Sequence, residues 1–118
     1  GDKTKEIEQL TRKRDQLMEK HRDSLKLGLQ RYNEALAGQT TVLWKKHDFE
    51  SFATYYSLVD VEYVASLDAD YDGLSPKQKF FLIMEHMDKS ETEIQNALGV
   101  AEVTMRSIRS RIGKKHKA

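Results

Sequence analysis

An uninterrupted helical pattern occupies the first third of the chain and limits what the rest can fold into. Residues 4–37 contain no proline and are dominated by Lys, Arg, Glu, Gln and Leu. Their apolar residues recur at three- and four-residue steps, which predicts one amphipathic helix of roughly 50 Å. A helix this long cannot bury its apolar face alone, so it must pack on a neighbouring helix or on a second copy of the chain. The predicted apolar face consists of Ile7, Leu10, Leu17, Leu25, Leu29, Tyr32 and Leu36.

Aromatic residues concentrate in the middle of the chain. Residues 38–41, which include Gly38, are expected to end the first helix. Beyond them, the spacing of apolar side chains predicts two short helices over about 48–58 and 60–68. Because nearly all aromatic residues lie between Tyr32 and Phe81, we expect the core to be centred on this segment.

The last third of the chain carries explicit helix-start signals. Ser75 followed by Pro76 is typical of an N-cap and a first helical position, and this helix is expected to reach about Met87. Ser90 and Glu93 have the spacing of a capping box, in which the hydroxyl and the carboxylate each satisfy one free backbone N–H group.

A glycine turn then separates two further predicted helices. The helix over 91–98 is expected to end at Gly99, which readily adopts the left-handed conformation of a helix terminus. A basic helix over 102–115 follows, and its expected inward residues are Val103 or Met105, Ile108 and Ile112. This layout is typical of a helix-turn-helix, whose second helix fits the major groove of DNA. A generic three-helix bundle with a basic last helix is the alternative.

Charge is distributed unevenly along the chain, although the net charge is only +1. Residues 47–74 hold seven acidic residues and no Lys or Arg, whereas residues 101–118 hold six Lys and Arg against Glu102. A basic terminal helix favours a polyanion-binding surface. The alternative is that these cations only complement the negative end of the helix dipole, a contribution of ~0.3–1 kcal/mol.

Residues 74–115 resemble a known family. This segment reads LSPKQKFFLIMEHMDKSETEIQNALGVAEVTMRSIRSRIGKK. It is similar to the C-terminal DNA-binding domain of LuxR/GerE-type bacterial transcriptional regulators in its opening at 74–76, its Leu-Gly-Val at 98–100 and its basic cluster at 109–115. A weaker resemblance extends back to Trp44 and points to a subgroup in which a tetratricopeptide sensor, often a membrane helix, and a coiled-coil arm precede the domain.

The resemblance implies sequence-specific binding of double-stranded DNA by a transcriptional regulator. The third helix of this domain, 102–115, would lie in the major groove. The implied base contacts are Glu102, Thr104, Arg106 and Ser107. The implied contacts to the DNA backbone are Arg109, Arg111, Lys114 and Lys115. The sequence departs from the family pattern at Gln95, Ala101, Gly113 and His116.

We therefore predict an all-α fold in three segments. Residues 1–43 form a long amphipathic or coiled-coil arm, 44–73 an aromatic-rich acidic layer of short helices, and 74–118 a helix-turn-helix bundle. The expected partners are duplex DNA, through the helix-turn-helix, and a second copy of the chain. Any dimerisation is expected to use the arm. We expect no membrane contact by this chain and a cytoplasmic location. Gly1 is typical of a tag remnant, so a longer, membrane-anchored parent protein is compatible with the sequence.

Other functions are less compatible with the sequence. A region-4-like domain of a sigma factor shares the basic recognition helix, and a helix-turn-helix that only mediates protein interaction is the alternative from another class. We expect no enzyme activity, catalytic residue or cofactor, because the histidines are scattered and no phosphate-binding glycine loop occurs. No metal site is expected either. Asp68, Asp70 and Asp72 mimic the start of an EF-hand loop, but its twelfth position is Lys79.

Overall fold

A computed structural model describes residues 2–117, including all of their side chains except those of Asp2, Lys3 and Leu17. The fold is all-α, as predicted. The six helices are α1 (Asp2–Leu36), α2 (Lys46–Val59), α3 (Val61–Asp70), α4 (Pro76–His86), α5 (Glu91–Leu98) and α6 (Glu102–Lys115). The part of the chain that the structure describes contains no helix long and apolar enough to cross a membrane.

The second half of α1 packs against α2, which runs back along it. Arg31 of α1 pairs with Asp48 near the start of α2, and Ser24 Oγ lies 3.2 Å from Ser51 Oγ further along. Gly28 is buried at this contact, and a Cβ atom placed on it would lie only 2.6 Å from the Cβ atom of Tyr55. The two helices therefore approach each other closely because residue 28 has no side chain.

The position of this contact corrects the predicted apolar face of α1. Leu29 and Leu36 are exposed, whereas Gly28 and Ala35, each one residue earlier, are buried. The small residues allow α2 to come close, and Leu29 and Leu36 point away from it. Tyr32 of the predicted face does pack against α2, where its ring lies 5.3 Å from the Tyr55 ring, and Leu25 is partly buried. The side chain of Leu17 lies outside the described residues. All other side chains of residues 4–23 are exposed.

Asp48 fixes the start of α2 to α1. Its buried carboxylate accepts hydrogen bonds from the Lys45 N–H at 2.7 Å and from Arg31 Nε at 2.9 Å. Burial disfavours the charged form, but these hydrogen bonds outweigh it and hold the pKa of Asp48 below its usual range. The charged form of Asp48 therefore stabilises the α1–α2 contact.

Replacing this carboxylate is expected to make stability less dependent on pH. Asp48→Asn should lower the free energy of unfolding at pH 7 by about 1–3 kcal/mol, because a charge-assisted hydrogen bond is lost. Since the native pKa of Asp48 is lowered, its contribution is complete above the unfolded pKa of about 4 and disappears as the pH falls through the native value. Denaturant titrations across this pH range should show the two proteins converging in acid. A difference in free energy of unfolding that stays constant across this pH range would contradict a lowered pKa of Asp48. The control is the same substitution at an exposed residue, Asp15→Asn.

The core is an aromatic layer between α2 and α4. The Phe80 ring is fully buried and lies 4.9 Å from the Phe52 ring and 5.4 Å from the rings of Phe49 and Trp44. The core is thus centred on the middle of the chain, as expected. The same apolar cluster also contains Ala35 of α1, Ile94, Ala97 and Leu98 of α5, and Met105 and Ile112 of α6.

The local start signals of α4 and α5 and the stop signal of α5 act as predicted. Ser75 and Ser90 each accept a hydrogen bond from the backbone N–H three residues later, at Gln78 and Glu93. Gly99 ends α5 in the left-handed conformation at φ 64°. The segment after α1 packs on this turn, where the Thr41 N–H donates to the Ala97 carbonyl at 2.7 Å.

The acidic loop between α3 and α4 holds the end of α6. The Asp72 N–H donates to the Lys115 carbonyl and the Lys117 N–H to the Asp70 carbonyl, each at 2.8 Å. Lys117 Nζ also lies 3.6 Å from the Asp72 carboxylate. The described residues contain no group of three potential metal ligands, and Asp68 pairs instead with Lys79 at 3.2 Å.

Candidate nucleic-acid interface

Helix α6 has one buried face and one face open to solvent. Of the expected inward residues, Met105 and Ile112 are buried and Ile108 is partly buried, whereas Val103 is exposed. Steps of four, three and four residues place one row of side chains on the opposite face. The members of this outward row are Val103, Ser107, Ser110 and Lys114, and all four are exposed.

The four predicted base-contacting residues are exposed but do not share one direction. Ser107 lies in the outward row and Arg106 beside it, while Glu102 and Thr104 lie on opposite flanks of the helix. Arg106 Nη2 lies 3.6 Å from Glu102 Oε1, one helical turn away. Because both side chains are about 70% exposed, this ion pair is weak and leaves Arg106 available to a ligand.

Two of the four predicted backbone-contacting cations are engaged within the chain. Arg109 Nη1 donates to Glu91 Oε1 at 2.7 Å, and its Nη2 lies 3.7 Å from Glu85 Oε2. Lys115 Nζ donates to the Gly73 carbonyl at 2.9 Å and to Gln78 Oε1 at 2.7 Å. These contacts tie α6 to the other helices of the domain and reduce the freedom of both cations to bind a phosphate.

The other two cations, Arg111 and Lys114, have no ion-pair partner among the described residues. Together with Arg106 they form the cationic set of the outward face, which we call the α6 cation triad. Three acidic residues lie on the Arg109 side of the helix: Glu85, Glu91 and Glu102. The positive charge of α6 is therefore concentrated on its outward face and on the side of Arg111.

Arg111 and Thr104 also border a cleft between α6 and the start of α4. This cleft has a volume of about 240 Å³, and its lining includes Lys77 and Gln78 of α4. Lys77 is exposed. Lys77 therefore places a cation near Arg111, in addition to the three of the α6 cation triad. It comes from α4, a helix that the sequence did not connect with the interface.

A histidine pair that the sequence did not reveal lies away from α6. His86 Nε2 is 2.9 Å from Asp60 Oδ2, and the His86 ring stacks on the Tyr63 ring at 3.6 Å. The Asp60 carboxylate also caps α3 by accepting from the Tyr63 N–H. His86 is thus part of a helix-capping arrangement rather than an isolated surface residue, and 26 residues separate it from Asp60.

The Tyr63 side chain of this group is half-buried between α3 and α4. Burial, reinforced by nearby negative charge, raises the pKa of Tyr63 to about 12. The Tyr63 hydroxyl donates to the Leu82 carbonyl at 3.0 Å. The group of three side chains therefore links α3 to α4.

Sequence reasoning missed the intramolecular partners of Arg109 and Lys115, and it left Val103 undecided between the core and the surface. The spacing of Met105 and Ile112 could have placed Val103 outward, since the valine lies on the opposite side of a regular helix. Comparison with protein-family models, curated proteins and solved structures found no match to this chain.

Proposed function

We propose that this chain binds double-stranded DNA and that α6 enters the major groove. The observation that carries the proposal is the open face of α6, where Arg106 and Arg111 flank the outward row and Lys114, the third member of the cation triad, ends it. The major groove admits an α-helix, and its phosphate walls attract Lys and Arg. Helix α6 meets both requirements because Val103, Ser107 and Ser110 of its outward row are small and would let it approach the base edges, and Lys114 at the end of the row can reach a phosphate.

The geometry supports a division of roles along α6. Arg106 lies in the half that would point to the floor of the groove, and a guanidinium can donate two parallel hydrogen bonds to guanine. Ser107 would also contact a base edge. Arg111 and Lys114 would meet phosphates. We assign Arg109 and Lys115 to positioning α6 through Glu91 and Gln78, which revises the role expected from the sequence.

This division predicts different effects of two alanine substitutions. Arg106→Ala should relax the preference for one base pair, because a bidentate pair contributes ~1–3 kcal/mol of discrimination. Lys114→Ala should weaken all duplexes alike and make the salt dependence less steep by about one unit of slope. Anisotropy titrations with a panel of duplexes at several salt concentrations measure both quantities. Equal effects of both substitutions on every duplex would contradict the division.

The resemblance to LuxR/GerE-type regulators supports the further proposal that DNA binding serves transcriptional regulation in the bacterial cytoplasm. At two positions where this sequence departs from the family pattern, Ala101 and Gly113, other contacts hold the ends of α6. Ala101 makes no side-chain cap at the start of α6, but the Met105 N–H still reaches the Ala101 carbonyl at 3.1 Å. Gly113 is followed by an α6 terminus that the acidic loop holds in place.

We also propose that two copies of the chain pair through the first half of α1. This segment exposes Ile7, Leu10 and Met18, and no other described part of the chain covers it. An exposed apolar row on a long helix is the pattern of a helix that pairs with another. Pairing would place two α6 helices on one duplex, as in dimeric helix-turn-helix proteins.

A charge placed in this row is expected to separate the two copies. Leu10→Glu should yield monomers, because a carboxylate cannot be buried unpaired in a helix–helix seam. Light scattering coupled to size-exclusion chromatography measures the mass. Gln16→Glu adds the same charge on the opposite side of α1 and should leave the dimer intact. A monomeric wild-type chain would refute pairing without affecting the proposal for α6.

A further inference from the structure

Val103 is an apolar side chain at the N-terminal end of the outward row of α6, whose other members are polar. It is the second residue of α6 and is 69% exposed. Met105, on the opposite side of the helix, fills the core position that the sequence left open between the two residues. Val103 therefore contributes little to the packing of α6.

Val103 lies next to the residues proposed to read bases. Arg106 and Ser107 follow it by three and four residues, so all three lie on neighbouring positions of one helical surface. Val103 is also nearer the start of α6, which is the part of a recognition helix that contacts base edges. A duplex that Arg106 contacts through a base would therefore have the neighbouring part of its groove close to Val103.

The chemistry of the major groove offers one apolar partner for valine. Guanine, cytosine and adenine present hydrogen-bond donors and acceptors there, and thymine alone adds a methyl group at C5. Cytosine gains a methyl group at the same position when it is 5-methylated. Contact between this methyl group and Val103 would remove both from water, which is favourable, whereas an unmethylated pyrimidine carries only a hydrogen at C5 and would leave the valine exposed to water.

We propose that Val103 recognises the C5-methyl group of a pyrimidine next to the base pair contacted by Arg106. This inference rests on the proposed function of α6 and specifies the DNA that it prefers. Three residues along a helix rise about 4.5 Å, close to the ~3.4 Å step between successive base pairs. The methylated pyrimidine is therefore expected within one or two steps of the guanine.

The test removes the methyl group from DNA without changing base pairing. Selection from a random duplex pool with the whole chain first gives a preferred duplex, and each thymine is then replaced in turn by deoxyuridine. One replacement near the preferred guanine should lower the affinity about fourfold, as expected for one methyl group returned to water. A 5-methylcytosine–guanine pair at that position should bind better than a cytosine–guanine pair if the methyl group itself is recognised. A preference for thymine without that gain would show that other thymine atoms are read and would overturn the proposal.

Two variants assign the effect to the side chain. In Val103→Ala the difference between thymine and deoxyuridine should vanish, whereas in Arg106→Ala it should persist on any duplex that still binds. Both side chains are exposed, so neither substitution disturbs the core. Equal binding of the thymine and deoxyuridine duplexes by the wild-type chain, or a difference that persists in Val103→Ala, would overturn this inference alone. Absence of all duplex binding by the wild-type chain would overturn the proposed function as well.

Discussion

Gly28→Ala is expected to lower the free energy of unfolding by about 2–3 kcal/mol, although alanine is the better helix former. The added Cβ atom would overlap the Ser51 carbonyl and would lie 2.6 Å from the Tyr55 Cβ atom. Both obstacles belong to the rigid part of α2 and cannot swing aside, so α1 and α2 must separate. Separation also loosens the buried contact between Arg31 and Asp48.

The matched control is Gly113→Ala in α6. An added Cβ atom at residue 113 meets no described atom within 4 Å, so this substitution should gain about 0.5–1 kcal/mol from helix propensity. Denaturant titrations followed by the fluorescence of Trp44, which packs against Phe49 and Phe80, measure both variants. Stabilisation by both substitutions would show that α1 and α2 are not in close contact.

Neutralising the α6 cation triad is expected to have the largest effect on DNA binding. The combined variant Arg106→Gln, Arg111→Gln and Lys114→Gln should weaken binding to any duplex by about 10²- to 10³-fold in moderate salt. Each of the two lost phosphate contacts, at Arg111 and Lys114, removes close to one unit of the salt slope and roughly tenfold in affinity, and loss of the Arg106 contact to guanine weakens the preferred duplex further. All three side chains are exposed, and Arg111 and Lys114 have no described ion-pair partner, so the fold should be unchanged.

An equal change in net charge elsewhere provides the control for this variant. Lys5, Arg12 and Lys26 are exposed on one side of α1, at steps of seven and fourteen residues. Replacing all three by glutamine removes the same charge from a surface far along the arm. This second variant should bind duplex DNA with nearly wild-type affinity. Similar losses in both variants would mean that only the net charge of the chain matters.

The sequence predicts the helices well where the signals are local. Ser75 and Ser90 cap their own helices, and Gly99 ends α5 by its own conformation, so neighbouring residues determine these boundaries. The observed bounds of α5 and α6 equal the predicted 91–98 and 102–115. The periodicity of α6 likewise predicts its buried residues, because a regular helix repeats its faces.

Contacts between distant residues account for what the sequence does not reveal. The close approach at Gly28 depends on where α2 lies, so the leucine row of α1 is a poor guide to its buried face. Eighteen residues separate Arg109 from Glu91, and 42 separate Lys115 from Gly73. No local pattern marks these pairs. As a result, the sequence does not reveal that two cations it assigns to DNA also have partners within the chain.

The salt dependence of DNA binding measures whether the cations of α6 contact the phosphates of a duplex. A labelled mixed-sequence duplex of about 20 base pairs is titrated with the wild-type chain at several salt concentrations, and binding is followed by anisotropy. If Arg111 and Lys114, with Lys77 beside them, present two or three cations to phosphates, log affinity should fall linearly with log salt, by roughly 10- to 40-fold between about 50 and 200 mM. Absence of binding at the lowest salt concentration, or an affinity that salt does not change, would contradict a duplex-binding role for α6.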